Sequence, residues 1–342
     1  MNGTTGAATL IDSVARAFAT ISSGGTRGRP ASWAAEGWAA IEDIGLLRAL
    51  VGTSNGLGLA PQDALRIVTL AGQHALPLPI AETMIANHTL MTVGLPLAAG
   101  PAAIVPDGTT LTQEGSNWRI AGTAIRVPWG RDVTTLVIQT GDCIVRLTNG
   151  WKVISKTVNS AGMVRDTLTI DATASAADVA LAKGPGLLLG GATIRTLQMA
   201  GAVSRMVDLT ATHVRERLPF GRTAAKLPSI EHRLARAAEQ AAAVLTAADM
   251  AVDAWSAIPD VRPLPISAAR VRAGDAVREA VTICQQVHSA IGSTQSEPMH
   301  PYAAALLGWR DEYGGDVYWS RILGQAALAA APKGYWSFLH AA

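Results

Sequence analysis

Three short stretches of this chain hold the side chains best equipped for chemistry. The first is Arg215-Glu216-Arg217-Leu218-Pro219-Phe220-Gly221-Arg222, which gathers three arginines and a phenylalanine at a Pro/Gly corner. A corner needs only its proline and glycine. Guanidinium forks beside an aromatic face add the means to bind an anion next to a ring. The plainer alternative is a solvated arginine beside a helix break. The second stretch is Gln285-Gln286-Val287-His288-Ser289-Ala290-Ile291-Gly292, where His288 reads as a core histidine hydrogen-bonded to backbone rather than a ligand. The third, Trp309-Arg310-Asp311-Glu312-Tyr313-Gly314-Gly315, places two carboxylates in a loop. Glu312, or Asp311, is there a candidate general base; the alternative is a pair of exposed acids capping a turn beside Arg310.

The elements that must position these groups are legible from periodicity. Before the arginine corner, Val203, Met206, Val207, Leu209 and Val214 recur as one apolar helix face. After it, Ile230, Leu234, Ala238, Ala241 and Leu245 do the same, with Glu231, Arg233, Arg236 and Glu239 turned outward. A further helix from Ala268 to Ile291 carries Val271, Val277, Val281, Cys284 and Val287, and Gly274 in the same row permits close approach of a neighbour. Helices over 306–309 and 318–328 complete a C-terminal bundle of four or five helices. At the other end, Leu10, Val14, Phe18 and Ile21 mark one helix and Ser32 N-caps a second through Trp33, Trp38, Ile41 and Ile44. Pro61 opens a third, where its missing N–H costs nothing. Between the helical ends, short apolar or alternating runs at 103–106, 118–122, 135–138, 143–147, 151–153 and 167–170 are separated by Asp107-Gly108, Glu114-Gly115 and Asn149-Gly150. They predict a small β-barrel or sandwich, in a chain divided at about residues 97 and 188.

Composition narrows the function classes. With 342 residues, 49% hydrophobic and 16% charged, the chain can bury a large core. Its net charge is only +2, and no basic run interleaves with aromatics, so nucleic-acid binding has no support. Cys143 and Cys284 are its two cysteines and give neither a disulfide framework nor metal spacing. No secretory signal or membrane span is read, and a cytoplasmic protein is expected.

The run Arg-Glu-Arg-x-x-Phe-Gly-Arg, followed by a helix with His232-Arg233-Leu234-Ala235, resembles the acyl-CoA dehydrogenase family. Trp38, Ile44-Gly45-Leu46, Gly56-Leu57-Gly58, Leu76-Pro77-Leu78-Pro79 and Glu82-Thr83 resemble its N-terminal helical domain in order. The resemblance implies an α+β fold with three domains: an N-terminal helical domain (1–97), a central small β-barrel (98–188) and a C-terminal four-helix bundle (189–342). It implies oxidation of an acyl-CoA at Cα–Cβ, in which a carboxylate takes the α proton and FAD the β hydride. Arg217, Phe220 and Gly221 then correspond to the corner that reaches the FAD of a neighbouring subunit. Gln286 and Gly292 match the Gln-x-x-Gly-Gly-x-Gly segment that meets its pyrophosphate.

Departures from the family pattern are as informative as matches. One family base position falls on Gly191, followed by Ala192; the other falls on Tyr313, with Glu312 one residue early. The two central glycines of the pyrophosphate segment are Ser289 and Ala290. The segment that lies against the flavin ring is missing after Val105-Pro106-Asp107-Gly108. Pro128 stands where a threonine would bond flavin N5, and proline has neither hydroxyl nor N–H. Groups serving the chain's own flavin are thus lost while those reaching a neighbour's survive. The pattern is similar to that of the paired α2β2 enzymes of bacterial steroid catabolism. It implies a base-deficient subunit, partnered by a catalytic homologue, acting on a polycyclic acyl-CoA and passing electrons to an electron-transfer flavoprotein or similar acceptor. A self-sufficient homo-oligomer using Glu312, and a flavin-free interaction subunit, are the alternatives.

Overall fold

A computed structural model describes residues 3–23, 35–52, 54–182, 186–217, 227–256, 261–330 and 334. Phe220 and Gly221, like Ser32 and Trp33, lie outside these residues. The described residues begin with the α-helices α1 (Gly3–Ser23), α2 (Ala35–Asp43), α3 (Pro61–Gln73) and α4 (Ile80–Thr92). Val14 and Phe18 of α1 and Trp38 and Ile41 of α2 are buried, as their spacing predicts. Pro61 is the first residue of α3. Helix α4 is buried nearly all round, so it brings Glu82, Thr83, Asn87 and His88 inside. Buried polar groups must find partners. Asn87 donates to the Leu47 carbonyl (3.1 Å) and accepts from Ala98 N (2.9 Å). The Thr83 hydroxyl accepts from Ala102 N at 3.0 Å, tying α4 to the first strand.

Among the described residues eight strands follow, arranged as two four-stranded sheets. One has the order β1 (Ala102–Val105), β4 (Thr135–Thr140), β5 (Cys143–Leu147), β8 (Val179–Leu181). The other runs β2 (Thr109–Glu114), β3 (Asn117–Pro128), β7 (Arg165–Ala174), β6 (Trp151–Ser155). A closed barrel is not formed among the described residues. Edge strands β2 and β6 carry mainly exposed residues, including Glu114, Lys152 and Ser155, and such polar edges are how an open sheet resists further pairing. The sheets share one core, with Ile120, Leu168 and Ile170 of one and Leu136, Ile138 and Ile144 of the other. The Thr140 hydroxyl donates to the Thr109 carbonyl across them (3.0 Å). Between Ala124 and Val127 the β3–β7 register shifts, and Arg126 (φ 57°) and Trp129 (φ 58°) flank Val127-Pro128 in the left-handed region.

Three long helices form the C-terminal framework: α5 (Leu187–Glu216), α6 (Pro228–Ser256) and α7 (Pro263–His288), joined by α8 (His300–Trp309) and α9 (Asp316–Ala330). Helix α5 also packs on α3, with almost no gap. A Cβ on Gly201 would stand 2.0 Å from the Thr69 carbonyl oxygen, so only glycine fits the crossing. Helix α6 buries Ala237, Gln240, Ala241, Val244 and Ala248; of its expected face Ala241 is buried, Ile230, Leu234 and Leu245 pack half-buried against the core, and Ala238 alone is exposed. Alanine is small enough for either face, so an alanine-rich helix leaves its orientation to its neighbours. Gly274 does permit the close approach its row suggests; the neighbour is Asp316 at the start of α9. Among the described residues, no helix is long and apolar enough to cross a membrane.

Candidate functional site

Four parts of the chain converge on Glu312. It lies buried in the loop between α8 and α9, not on an exposed turn beside Arg310. Its Oε1 accepts from Arg165 Nε (2.6 Å) and Asn159 Nδ2 (3.3 Å), and its Oε2 from Arg165 Nη2 (3.1 Å) and Arg195 Nε (2.7 Å). Arg195, from α5, also donates to Glu82 Oε1 of α4 at 2.5 Å and to Gln198 Oε1. Two guanidinium groups therefore face two carboxylates in a neutral, almost solvent-free cluster. It ties α4, the β3–β7 sheet, α5 and the α8–α9 loop together. Arg270 of α7 closes it from behind, donating to the carbonyls of Trp309, Arg310 and Glu312 at 2.6–3.1 Å.

Electrostatics fix the charge states. Burial alone would raise the Glu312 carboxyl, but Arg165 and Arg195 outweigh it and hold it at about 2. Arg195, where the two carboxylates outweigh burial, is held above its ordinary value. Burial lowers Arg270 to about 10, still charged at neutral pH. A carboxylate has about four lone-pair directions, and four hydrogen bonds occupy those of Glu312. As a base it would have to surrender an ion pair before taking a proton. This geometry suits a structural anion.

The two base positions suggested by resemblance meet here. The Tyr313 ring covers Gly191: a Cβ on that glycine would lie 2.4–2.9 Å from three ring atoms. Tyr313 is held with φ 52°, its ring 5.2 Å from the Arg195 guanidinium carbon, its hydroxyl buried without a hydrogen-bond partner. Burial pushes that phenol up, which keeps it neutral. At the two positions to which the resemblance assigns a base stand a glycine and a neutral phenol. Pro128, which the resemblance aligns with the family's flavin-N5 threonine, pairs with Arg165 in the β3–β7 register and offers no donor. In the following loop Arg131 is committed to the buried Asp166. These residues do not fit a flavin ring held by this chain's own polar groups.

A second constellation lies where α5 and α7 end. Arg217 caps α5, is exposed, and reaches Ser289 Oγ at 3.4 Å. Gln286 is exposed at the end of α7 and accepts from Arg233 Nη1 of α6 (2.7 Å). Gly292 is buried in the next turn, where a Cβ would sit 2.8 Å from both the Gln285 carbonyl oxygen and His288 Cβ. Arg217, Arg233 and Gln286 therefore share one exposed region with a glycine-shaped turn, a fit for an anionic group arriving from outside. Ser289, one of the two replaced glycines, keeps a backbone glycine would adopt (φ 59°, ψ −145°). His288 is buried but not bonded to backbone as the sequence suggests; Thr210 and Glu297 are its neighbours.

Sequence reasoning missed Arg165, Arg195, Asn159 and Glu82 as one cluster. Only the isolated charges in apolar surroundings, such as Arg195 in Gly190-Gly191-Ala192-Thr193-Ile194-Arg195, hinted at burial.

Comparisons with known proteins agree with this architecture. Residues 188–309 match the family described as "Acyl-CoA dehydrogenase, C-terminal domain". The chain is 24% identical over 282 residues, 81% of its length and 76% of the relative's, to acyl-CoA dehydrogenase IpdE2 of Mycobacterium tuberculosis. A variant of the Tcur3481-Tcur3483 steroid ACAD superposes with a TM-score of 0.83 at 21% identity, over 95% of this chain and 98% of that one. The ChsE4-ChsE5 complex from Mycobacterium tuberculosis gives 0.79 at 17% identity, again over 95% and 98%.

Proposed function

We propose, for a chain whose C-terminal region belongs to the acyl-CoA dehydrogenase family and whose fold is that family's, that it serves as the base-deficient subunit of a paired FAD-linked enzyme. The enzyme removes two hydrogens from Cα–Cβ of an acyl-CoA thioester. A homologous subunit supplies the general base and holds most of the flavin. The present chain adds Arg217, Phe220, Gly221, Gln286 and Gly292 at the nucleotide end. When bound, FAD supplies the hydride acceptor, and an electron-transfer flavoprotein or similar acceptor reoxidises it. A steroid-derived acyl group is the substrate class this reading takes, from the printed description of the Tcur3481-Tcur3483 neighbour.

One contrast carries the reading. The groups able to meet an external anion, Arg217 and Gln286, are exposed and converge, whereas Glu312, Gly191, Tyr313 and Pro128 leave this chain's own site without base or flavin donor. Each surviving residue has a specific task. Arg217 offers two parallel N–H donors to a pyrophosphate, and Gly292 keeps the adjoining turn tight. The ion cluster around Glu312 holds α5 against α4 and the sheet, and so fixes the helix that carries Arg217.

Co-expression with a homologous subunit tests this. FAD per heterodimer should fall at least tenfold in occupancy at limiting FAD on Arg217→Ala, with assembly intact by size-exclusion chromatography. Unchanged flavin content would refute the cross-subunit role and favour a flavin-free interaction protein. Turnover abolished by replacing the partner's general base, with Glu312 intact here, would separate the paired enzyme from a self-sufficient one.

A further inference from the structure

His213 in the last turn of α5, His288 at the last residue of α7 and Glu297 in the segment beyond place their ligand-capable atoms within 4.8 Å of one another. None of the three takes part in the acyl-CoA chemistry proposed above. The imidazole rings stack, with centroids 4.0 Å apart and planes 24° from parallel.

His288 lies between Thr210 and Glu297. The Thr210 hydroxyl gives its proton to the Met206 carbonyl (2.9 Å), so at His288 Nε2 (3.2 Å) it accepts. With Nε2–H donating to that hydroxyl, neutral His288 presents Nδ1 as a lone pair. That atom sits 2.9 Å from Glu297 Oε1, yet without hydrogen-bond alignment. His213 Nε2 is also buried with no partner. A lone pair, a carboxylate oxygen and an unsatisfied ring nitrogen facing a common space repel unless a cation lies between them.

A proton or a metal ion can be that cation. Burial and the neighbouring His213 lower His288, while Glu297 raises it and Arg217 opposes a further charge. The C-terminal ends of α5 and α7 converge here, and their partial negative charges favour a cation whatever its identity. Two imidazoles and one carboxylate suit zinc, which takes nitrogen and oxygen ligands at about 2.0–2.2 Å and tetrahedral geometry. Closing the present spread to that geometry needs side-chain rotation of the partly exposed His213 and Glu297. Thr210 supplies the outer hydrogen bond that ligating histidines usually have.

We propose that His213, His288 and Glu297 form a three-ligand site for a divalent transition ion, zinc by its chemistry, with water in the fourth position. The ion would clip the end of α5 to the end of α7, fixing Arg217 relative to the turn from Gln286 to Gly292. Cys284 is buried on α7 and is not needed as a ligand.

The test is titration of tag-free, chelator-treated full-length protein with zinc chloride by calorimetry, and with cobalt chloride by visible absorption. The expected result is one zinc per chain with micromolar or tighter Kd, and cobalt bands of tetrahedral intensity. His213→Ala and Glu297→Gln should each weaken zinc at least tenfold while their metal-free melting temperatures stay within a few degrees of wild type. Absence of saturable binding overturns the proposal, as does binding that both variants retain. An imidazolium signal from His288 that persists with saturating zinc would assign the space to a proton and overturn it equally.

Discussion

Glu312→Gln separates the two roles a buried glutamate can have in this fold. The substitution keeps shape and removes charge. In the native cluster Glu82 and Glu312 balance Arg165 and Arg195. After it, two buried guanidinium groups share one carboxylate, and the glutamine NH2 points at donors. Removing one partner of a buried ion pair costs about 3–5 kcal/mol. At about 2.1 cal/mol/K per residue, a 342-residue chain has an unfolding entropy near 0.7 kcal/mol/K. The melting temperature should therefore fall by about 4–7 °C. Differential scanning calorimetry of the full chain, alone and assembled, reads this directly. Melting within 1 °C of wild type would refute the structural role. Loss of turnover with unchanged melting would return Glu312 to candidacy as a base.

Three further outcomes follow from the same geometry. Because Glu312 is depressed from about 4.5 to about 2, its roughly 3 kcal/mol of stabilisation is complete above pH 4.5 and is lost as pH falls toward 2; acid titration of Glu312→Gln should lack that component. Gly191→Ala drives a methyl to 2.4 Å from the Tyr313 ring and should cost about 1–3 kcal/mol, and pairing it with Tyr313→Ala should remove the steric part in a double-mutant cycle. Ser289→Gly relieves a backbone at φ 59° and should raise the melting temperature by about 1–2 °C for about 1 kcal/mol of released strain.

The helices were readable from sequence wherever bulky residues set the period. Val14 and Phe18, Met206 and Val214, and Val277 and Val281 all lie inside, as their spacing predicts. On helix α6 the expected face holds at Ile230, Leu234, Ala241 and Leu245 and fails at Ala238, because alanine marks no face. Strands β2 and β8 went unseen for a related reason. Thr109–Glu114 is polar at a sheet edge, and Val179–Leu181 is too short to show alternation. Of the barrel or sandwich that the strand pattern predicts, the described residues form the sandwich, two packed sheets rather than a closed barrel, because closure depends on hydrogen bonds between distant strands, which local patterning does not encode. The arginine corner announced itself through composition, though Phe220 and Gly221 lie outside the described residues. Glu312 was visible as a carboxylate, but its meaning depends on Arg165 and Arg195, more than a hundred residues away. Pairings at that separation are set by packing, not by spacing.

Flavin content of the chain purified alone, beside that of the chain co-purified with a homologous subunit, tests the central claim most directly. The account predicts substoichiometric FAD and no dye reduction with acyl-CoA for the lone chain, and bound FAD with turnover for the pair. A lone chain that carries one FAD and reduces dye with acyl-CoA would contradict it.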